Sequence, residues 1–177
     1  NRVVGLFILL LFSFSCACDL DYDQANDLKL EPVFVANLAY FDVPANEFVT
    51  NGVEQSVIFD TPTVDVFNDD FFRDNLKKVE FFFEMENTIN RAYSVDLVFL
   101  DNNNQRVHAT NFTVPEYAGA ENKVTKTEIF ENAQLDLLKR TTKIVFTLTM
   151  LPGASLNENS SGRLKLRSGV TAYLVVE

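Results

Sequence analysis

The sequence predicts an all-β domain: a single immunoglobulin-like β-sandwich of about eight strands with one or two short helices. Three observations predict it. From residue 30 onward, apolar and polar residues alternate with period two, the pattern of strands with one buried face. Turn signals such as Asn51-Gly52, Asp101 to Asn104 and Pro152-Gly153 separate the alternating runs. Hydrophobic residues make up 47% of the chain and include 17 Phe, enough to fill one core in a domain of this length.

Val33 to Phe41 reads as the first strand, with Pro32 at its edge. Phe48 and Val57 to Phe59 bracket Asn51-Gly52, which predicts a hairpin. Asp69 to Leu76 reads as a short helix, capped by Asn68 or Asp69, with Phe72 and Leu76 four apart and Lys77-Lys78 at its negative end. Lys77 to Glu86 is the clearest strand: Val79, Phe81, Phe83 and Met85 point one way, and Glu80, Phe82, Glu84 and Glu86 the other. Asn87 to Asn90 reads as a connection. Tyr93 to Leu100 is apolar on both faces and so is expected in the middle of a sheet. After the Asp101 turn, Arg106 to Val114 and Val124 to Phe130 are further strands. Asn132 is placed as the cap of a second short helix over Ala133 to Lys139, with Leu135 and Leu138 inward. Lys143 to Leu151 and Arg163 to Val176 complete the set, with a bulge expected at Gly169.

The N-terminus carries a different signal. Val3 to Phe14 is almost continuously apolar, too short to span a bilayer, which takes roughly 20 apolar residues. Its length and flanks match the apolar region of a signal peptide, and it lacks the polar face that a core helix of a soluble domain carries. Small residues then lead into Ser15-Cys16-Ala17-Cys18, which resembles the lipobox of bacterial lipoproteins, whose cysteine is acylated. The usual leucine three residues upstream is missing for both cysteines. Cleavage before Cys18 leaves no spare thiol, whereas Cys16 follows the apolar run more closely. A Cys16–Cys18 disulfide across one residue is geometrically strained. Because these are the only cysteines, the domain has neither a disulfide nor a thiolate metal site of its own. Asp19, Asp21, Asp23 and Asp27 follow. A lipobox cysteine with an acidic cluster behind it resembles the surface-export signal of Bacteroidota lipoproteins, while like charges also keep a plain tether extended. The expected organisation is a signal peptide over 1–17, an acidic tether over 18–30 and the sandwich domain over 31–177.

Charge narrows the partners. The chain carries −10, and loss of residues 1–17 removes one basic and no acidic residue, giving −11. Such a surface disfavours nucleic acid and anionic lipid, so membrane attachment falls to the acyl anchor.

Catalytic and metal signals are sparse. His108 is the sole histidine, out of phase with Val107 and Ala109 in its strand, with no nucleophile elbow in the chain; it reads as a surface strand residue. Asp101 to Gln105 places oxygen donors like part of a calcium loop but lacks the glycine and distal glutamate of an EF-hand, and reads as a turn. Asp60, Asp65, Asp69, Asp70 and Asp74, interleaved with Phe59, Phe67, Phe71 and Phe72, read as a loop and capped helix with inward phenylalanines rather than a cation site. Tyr40, Tyr93, Tyr117 and Tyr173 could line a sugar-stacking face, though the chain has no Trp. No cofactor, metal or catalytic residue is expected.

The stretch Glu80 to Arg91 (EFFFEMENTINR), with Val95 to Asp101, Leu138 to Phe146 and Leu166 to Leu174, is similar to small outer-membrane lipoproteins of Bacteroidota, flavobacterial in type. That resemblance implies a β-sandwich domain and brings no activity or site residues. In outline the chain also looks like the late-embryogenesis-abundant type-2 sandwich, an analogy of fold only, since Glu86 to Asn90 departs from that family's Asn-Pro-Asn. The expected function is a non-enzymatic, lipid-anchored, surface-exposed outer-membrane protein acting as a binding or accessory subunit of a secretion, gliding or nutrient-uptake complex. A glycan-binding or adhesin-like module is the second expectation.

Overall fold

In the computed structural model, residues 29–176 are described apart from 56, 62, 65, 66, 68 and 121, and the side chains of 57–60 are likewise left aside. The segment expected to be a signal peptide (1–17), Cys18, Asp19, Asp21 and Asp23 lie outside the described residues, as do Asp65 and Asn68. Residues Glu31–Val176 form one compact unit.

The strands are β1 (Val33–Pro44), β2 (Val49–Thr50), β3 (Val53–Glu54), β4 (Val57–Asp60), β5 (Leu76–Asn87), β6 (Tyr93–Leu100), β7 (Arg106–Val114), β8 (Lys123–Glu131), β9 (Lys143–Met150) and β10 (Arg163–Leu174). Two short helices interrupt them, α1 (Asp70–Asn75) and α2 (Leu135–Leu138). One four-stranded sheet has the order β1-β10-β5-β8, the other β4-β9-β6-β7, and every pairing is antiparallel. β2 and β3 make a separate ribbon.

The all-β sandwich with two short helices is as the sequence predicts. Its connectivity follows jelly-roll rather than immunoglobulin order. Along the chain, β1, β4, β5 and β6 alternate between the sheets, as do β7, β8, β9 and β10, and only β6 and β7 are a hairpin within one sheet. An immunoglobulin sandwich keeps more of its consecutive strands side by side. Alternation encodes which face of a strand is buried, not which strand lies next to it.

The core is the set of inward phases. Val79, Phe81, Phe83 and Met85 of β5 are fully buried, facing Leu97 and Phe99 of β6 and Ile144 of β9. Phe81, Phe99 and Phe130 form a triangle across the two sheets, with centroids 5.5, 5.6 and 5.3 Å apart and tilted or edge-on rings. β6 lies between β9 and β7, as its apolar faces predict.

Polar clamps close the end loops. Asn87 continues the inward phase of β5 and is wholly buried. Its amide donates to the carbonyls of Arg91 and Pro115, both at 2.7 Å, and its oxygen accepts from the Ile89 N–H at 2.9 Å. Arg91, nearly buried, donates to the carbonyls of Leu151 and Ala154 and pairs with Glu54 at 3.3 Å. The other Glu54 oxygen accepts from Leu156 N–H at 2.6 Å. Gly162 sits at φ +102°, where a Cβ would lie 2.2 Å from the Thr88 carbonyl oxygen, so only glycine fits.

Several local expectations change. The hairpin at Asn51-Gly52 exists, with φ of +53° and +74° as a type I′ turn needs. It joins only β2 and β3, while Val57–Asp60 pairs with β9. Asp69 caps α1 by accepting from Phe71 and Phe72 N–H groups. Phe67 is buried and Phe72 packs on Phe34, but Phe71 is exposed. Asn132 is not a cap: it adopts φ +53° as the first residue of a 3-10 turn, and Gln134 stands at the cap position of α2. Leu135 and Leu138 do face inward. The bulge expected at Gly169 lies across from it, in β1, where the register slips between Asn37 and Tyr40.

Asn87→Ala should lower stability by about 3 kcal/mol, read as a fall in urea midpoint at constant slope, because it strands buried backbone groups. Tyr93→Phe should leave the melting temperature unchanged or higher. The Tyr93 phenol is buried without a hydrogen-bond partner among the described residues, and burial pushes its pKa up, so it stays neutral.

Candidate interaction surface

The residues singled out from sequence do not converge on one site. Asp101 spends its carboxylate on its own turn, accepting from the N–H groups of Asn103 and Gln105, both at 2.8 Å, while Asn104 adopts φ +58°. This is the turn reading. Among the described residues no group of three or more His, Cys, Asp or Glu is arranged to hold a metal ion. The four tyrosines do not share a face: Tyr93 is in the core against Phe48, whereas Tyr40 is open to solvent.

His108 is less exposed than a surface strand residue. It packs edge-on between Phe99 and Phe130, at 5.3 and 5.1 Å, and its Nε2 lies 3.5 Å from Glu128 of β8. Thr110 donates to Glu128 at 2.6 Å and Lys126 lies 3.1 Å from the same oxygen. Burial would raise the Glu128 pKa, but the hydrogen bonds from Thr110 and Lys126, with the Lys126 charge and His108, outweigh it and hold the carboxyl below its ordinary value. The Thr110 hydroxyl is bonded to Glu128 rather than to the imidazole, so the group ties β7 of one sheet to β8 of the other.

The distinctive surface is β1, whose sequence reads as an ordinary strand. Among the described residues β1 is an edge strand, paired with β10 alone. Val33, Phe34, Val35, Ala36 and Asn37 are all exposed, Val35 at 76%. No charged residue occurs from Pro32 to Phe41. The other edges are guarded: β8 carries Lys123, Lys126, Glu128 and Glu131, β7 carries Arg106, and β4 has only four residues. Behind β1, the outer face of the sheet is a charge ladder, with Arg167 and Lys123 at 3.7 and 3.8 Å from Glu84 and Lys165 at 3.8 Å from Glu86.

The peptide groups of this edge can be assigned. Leu174 N–H donates to the Pro32 carbonyl, so Pro32 and Leu174 are a hydrogen-bonded pair. By antiparallel alternation Phe34 and Ala36 also face β10, and the N–H and C=O groups of Val33, Val35 and Asn37 point away from the sheet. The bulge ends this stretch. Leu38 and Ala39 oppose Ser168 alone, and its hydroxyl donates to the Ala39 carbonyl at 2.9 Å and accepts from the Ala39 N–H at 2.8 Å. An open cleft of about 330 Å³ at the bulge is lined by Asn37, Leu38, Ala39, Tyr40, Arg167 and Ser168. Ser168 was findable in sequence as a polar residue on the inward phase of an otherwise apolar strand; the exposed edge was not.

No protein-family model matches the chain, and no curated protein does. Among solved structures, it is similar to a Parabacteroides distasonis protein inferred to be secreted, at 15% identity and TM-score 0.45 over 66% of this chain and 37% of that one. It is also similar to the VP2 subviral particle of infectious bursal disease virus, at 9% identity and TM-score 0.44 over 82% of this chain and 38% of that one. Desmodium yellow mottle tymovirus aligns at 9% identity and TM-score 0.35, over 84% and 90% of the two chains. The chain thus spans less than two fifths of the length of the first two. The strand order, not these likenesses, assigns the fold. No helix among the described residues is long and apolar enough to cross a membrane.

Ser168→Ala should loosen the bulge and cost about 1–2 kcal/mol of unfolding free energy, with faster amide exchange at Ala39. Glu128→Gln tests the cross-sheet tie by pH. A carboxyl with a depressed folded pKa contributes stability above its unfolded value, near 4.5, and loses it as pH falls through the folded one. The Gln variant should therefore show a shallower loss of melting temperature below about pH 4.5 than the parent chain.

Proposed function

We propose that this chain is a non-enzymatic, lipid-anchored outer-membrane protein, exposed at the cell surface, that serves as a binding or accessory subunit and meets a protein partner along the β1 edge. The observation that carries the binding role is that edge: five exposed, uncharged residues, three of them (Val33, Val35 and Asn37) with outward peptide groups, in an acidic chain whose other long edges carry charges. Strand addition fits it, because main-chain hydrogen bonds supply affinity and alternate side chains supply selectivity. The lipobox-like cysteines and acidic cluster support the anchor and the surface display, and the resemblance to flavobacterial lipoproteins supports a place in a secretion, gliding or nutrient-uptake complex. The second reading, a glycan-binding or adhesin-like module, draws on the cleft where exposed Tyr40 lies beside Asn37 and Arg167.

Labelling with a palmitate analogue tests the anchor. Label should enter the wild-type protein and vanish in Cys18→Ser; loss only in Cys16→Ser moves the site to Cys16, and an unlabelled wild type removes the anchor from the proposal. Replacing Asp19, Asp21 and Asp23 by Asn should reduce accessibility to external protease in whole cells. For the binding role, the acylated protein should co-purify a membrane protein from detergent extracts, and Val35→Lys should lose it. A glycan-array signal abolished by Tyr40→Ala would favour the second reading instead. Turnover on a hydrolase panel that disappears in His108→Ala would overturn the non-enzymatic assignment.

A further inference from the structure

We infer that the outer face of the β1-β10-β5-β8 sheet carries a trough for a linear, uncharged oligosaccharide, with Phe82 and Tyr40 as its two stacking platforms. This rests on the glycan-binding reading, to which it adds a site, a ligand class and a minimum ligand length.

Phe82 is the misfit of that face. Its outward neighbours on β5 are Glu80, Glu84 and Glu86, as a solvated face requires, yet Phe82 leaves a large ring 44% exposed on a central strand. The register sets what surrounds it. Gly169 of β10 and Thr127 of β8 stand opposite it on either side, and Asn37 of β1 lies beyond Gly169. With no side chain at 169, the floor between Phe82 and β1 is bare backbone. Gly169 has no left-handed φ to account for it, and a Cβ there would meet only the Ala36 carbonyl oxygen, at 3.3 Å. A strand glycine of this kind marks a close approach by another group. Asn37 also lines the cleft of about 330 Å³ in which Tyr40, 68% exposed, stands beside Arg167. The trough therefore crosses three strands and has an aromatic ring at each end. Two strand spacings across and two residues along put the Cα atoms of Phe82 and Tyr40 roughly 12 Å apart.

Charge selects the ligand. The chain carries −10, but this face cancels its own charges. Glu84 is held by Arg167 and Lys123, Glu86 by Lys165, and Glu80 by Lys78 at 2.5 Å. A charged ligand would have to displace these pairs, and no net field draws it in. A protein partner would find one further large apolar side chain beside Phe82, Ile129, among threonines and paired charges, which is too little for the apolar core of an interface. The trough offers ring faces to stack on the C–H face of a pyranose. Between them the Asn37 amide, the Arg167 guanidinium and the Glu84 carboxylate are placed to bond hydroxyls. The other tyrosine of the face, Tyr173, is already engaged: Lys78 lies over its ring at 5.2 Å and its hydroxyl donates to Glu80 at 3.1 Å. One sugar ring cannot reach both free platforms, so both are filled only by a chain of three or more units. The trough lies on the face of the sheet, so strand addition at the β1 edge leaves it open.

The test is a glycan array of neutral and acidic oligosaccharides of one to six units, probed with the full chain in detergent, then calorimetric titration of the best neutral binder. Signal should be confined to neutral chains of three or more units. Phe82→Thr and Tyr40→Ala should each weaken binding about tenfold. Phe82→Trp, which keeps a platform, should retain it. In Tyr40→Ala the advantage of a trisaccharide over a disaccharide should disappear. Val35→Lys should bind glycan like the parent, which separates the trough from the β1 edge. If no neutral glycan binds, the trough and the glycan-binding reading both fall. Neutral binding that survives Phe82→Thr but not Tyr40→Ala overturns the trough and leaves the reading at the cleft. A preference for acidic glycans overturns the ligand class.

Discussion

The contact on which the rest of the structure depends is the aromatic triangle of Phe81, Phe99 and Phe130 between the sheets. Most successive strands change sheets, so few neighbours along the chain are held together by shared ladder hydrogen bonds. The layers are joined mainly by what lies between them. Three large rings from β5, β6 and β8, edge-on or tilted, fix how the layers sit, and truncating any one would remove about 3–5 kcal/mol. The Glu128 group extends that join to the β7–β8 side, where His108 adds its ring to the same cluster.

A jelly-roll order moves the difficulty to the ends of the sandwich. Each crossing loop must satisfy its own backbone where the ladder stops. Asn87, Arg91 with Glu54, and the Gly162–Thr88 approach do this, beside the buried loop residues Ile89 and Leu156. With the loops tied and the sheets packed face to face, what differs from one part of the described surface to another is the rim. There the edges differ in kind: three are short or carry charges along their length, and β1 is uncharged from Val33 to Phe41. An unguarded edge is an aggregation risk unless it has an occupant. The bulge at Ala39 limits that risk by cutting the usable strand to five residues.

Much of the fold was legible beforehand, and the failures share a cause. The Val79, Phe81, Phe83, Met85 alternation placed β5 and its inward face, and Asn51-Gly52 marked a real tight turn. Asn87 and Ser168 were also visible, as polar residues on inward phases, and such positions call for a dedicated partner. Asn132 misled because asparagine serves both as a cap and as a left-handed residue, and only the path of the chain out of β8 selects between them. Gly169 misled because the extra residue of its bulge belongs to the strand across from it. Tyr93 resembles the surface tyrosines by residue type alone; its own strand phase, shared with Val95, Leu97 and Phe99, puts it inside.

By itself the sequence determined the number and type of elements and which face of each is buried, because those follow from the spacing of side chains along a local backbone. It also determined the expected N-terminal chemistry, which is written in consecutive residues. Only the tertiary structure decided the strand order, the depth of His108, and the position of β1 at an edge with its peptide groups outward. Those depend on which strands pair across long stretches of chain, and period-two alternation is the same whichever neighbour a strand finds.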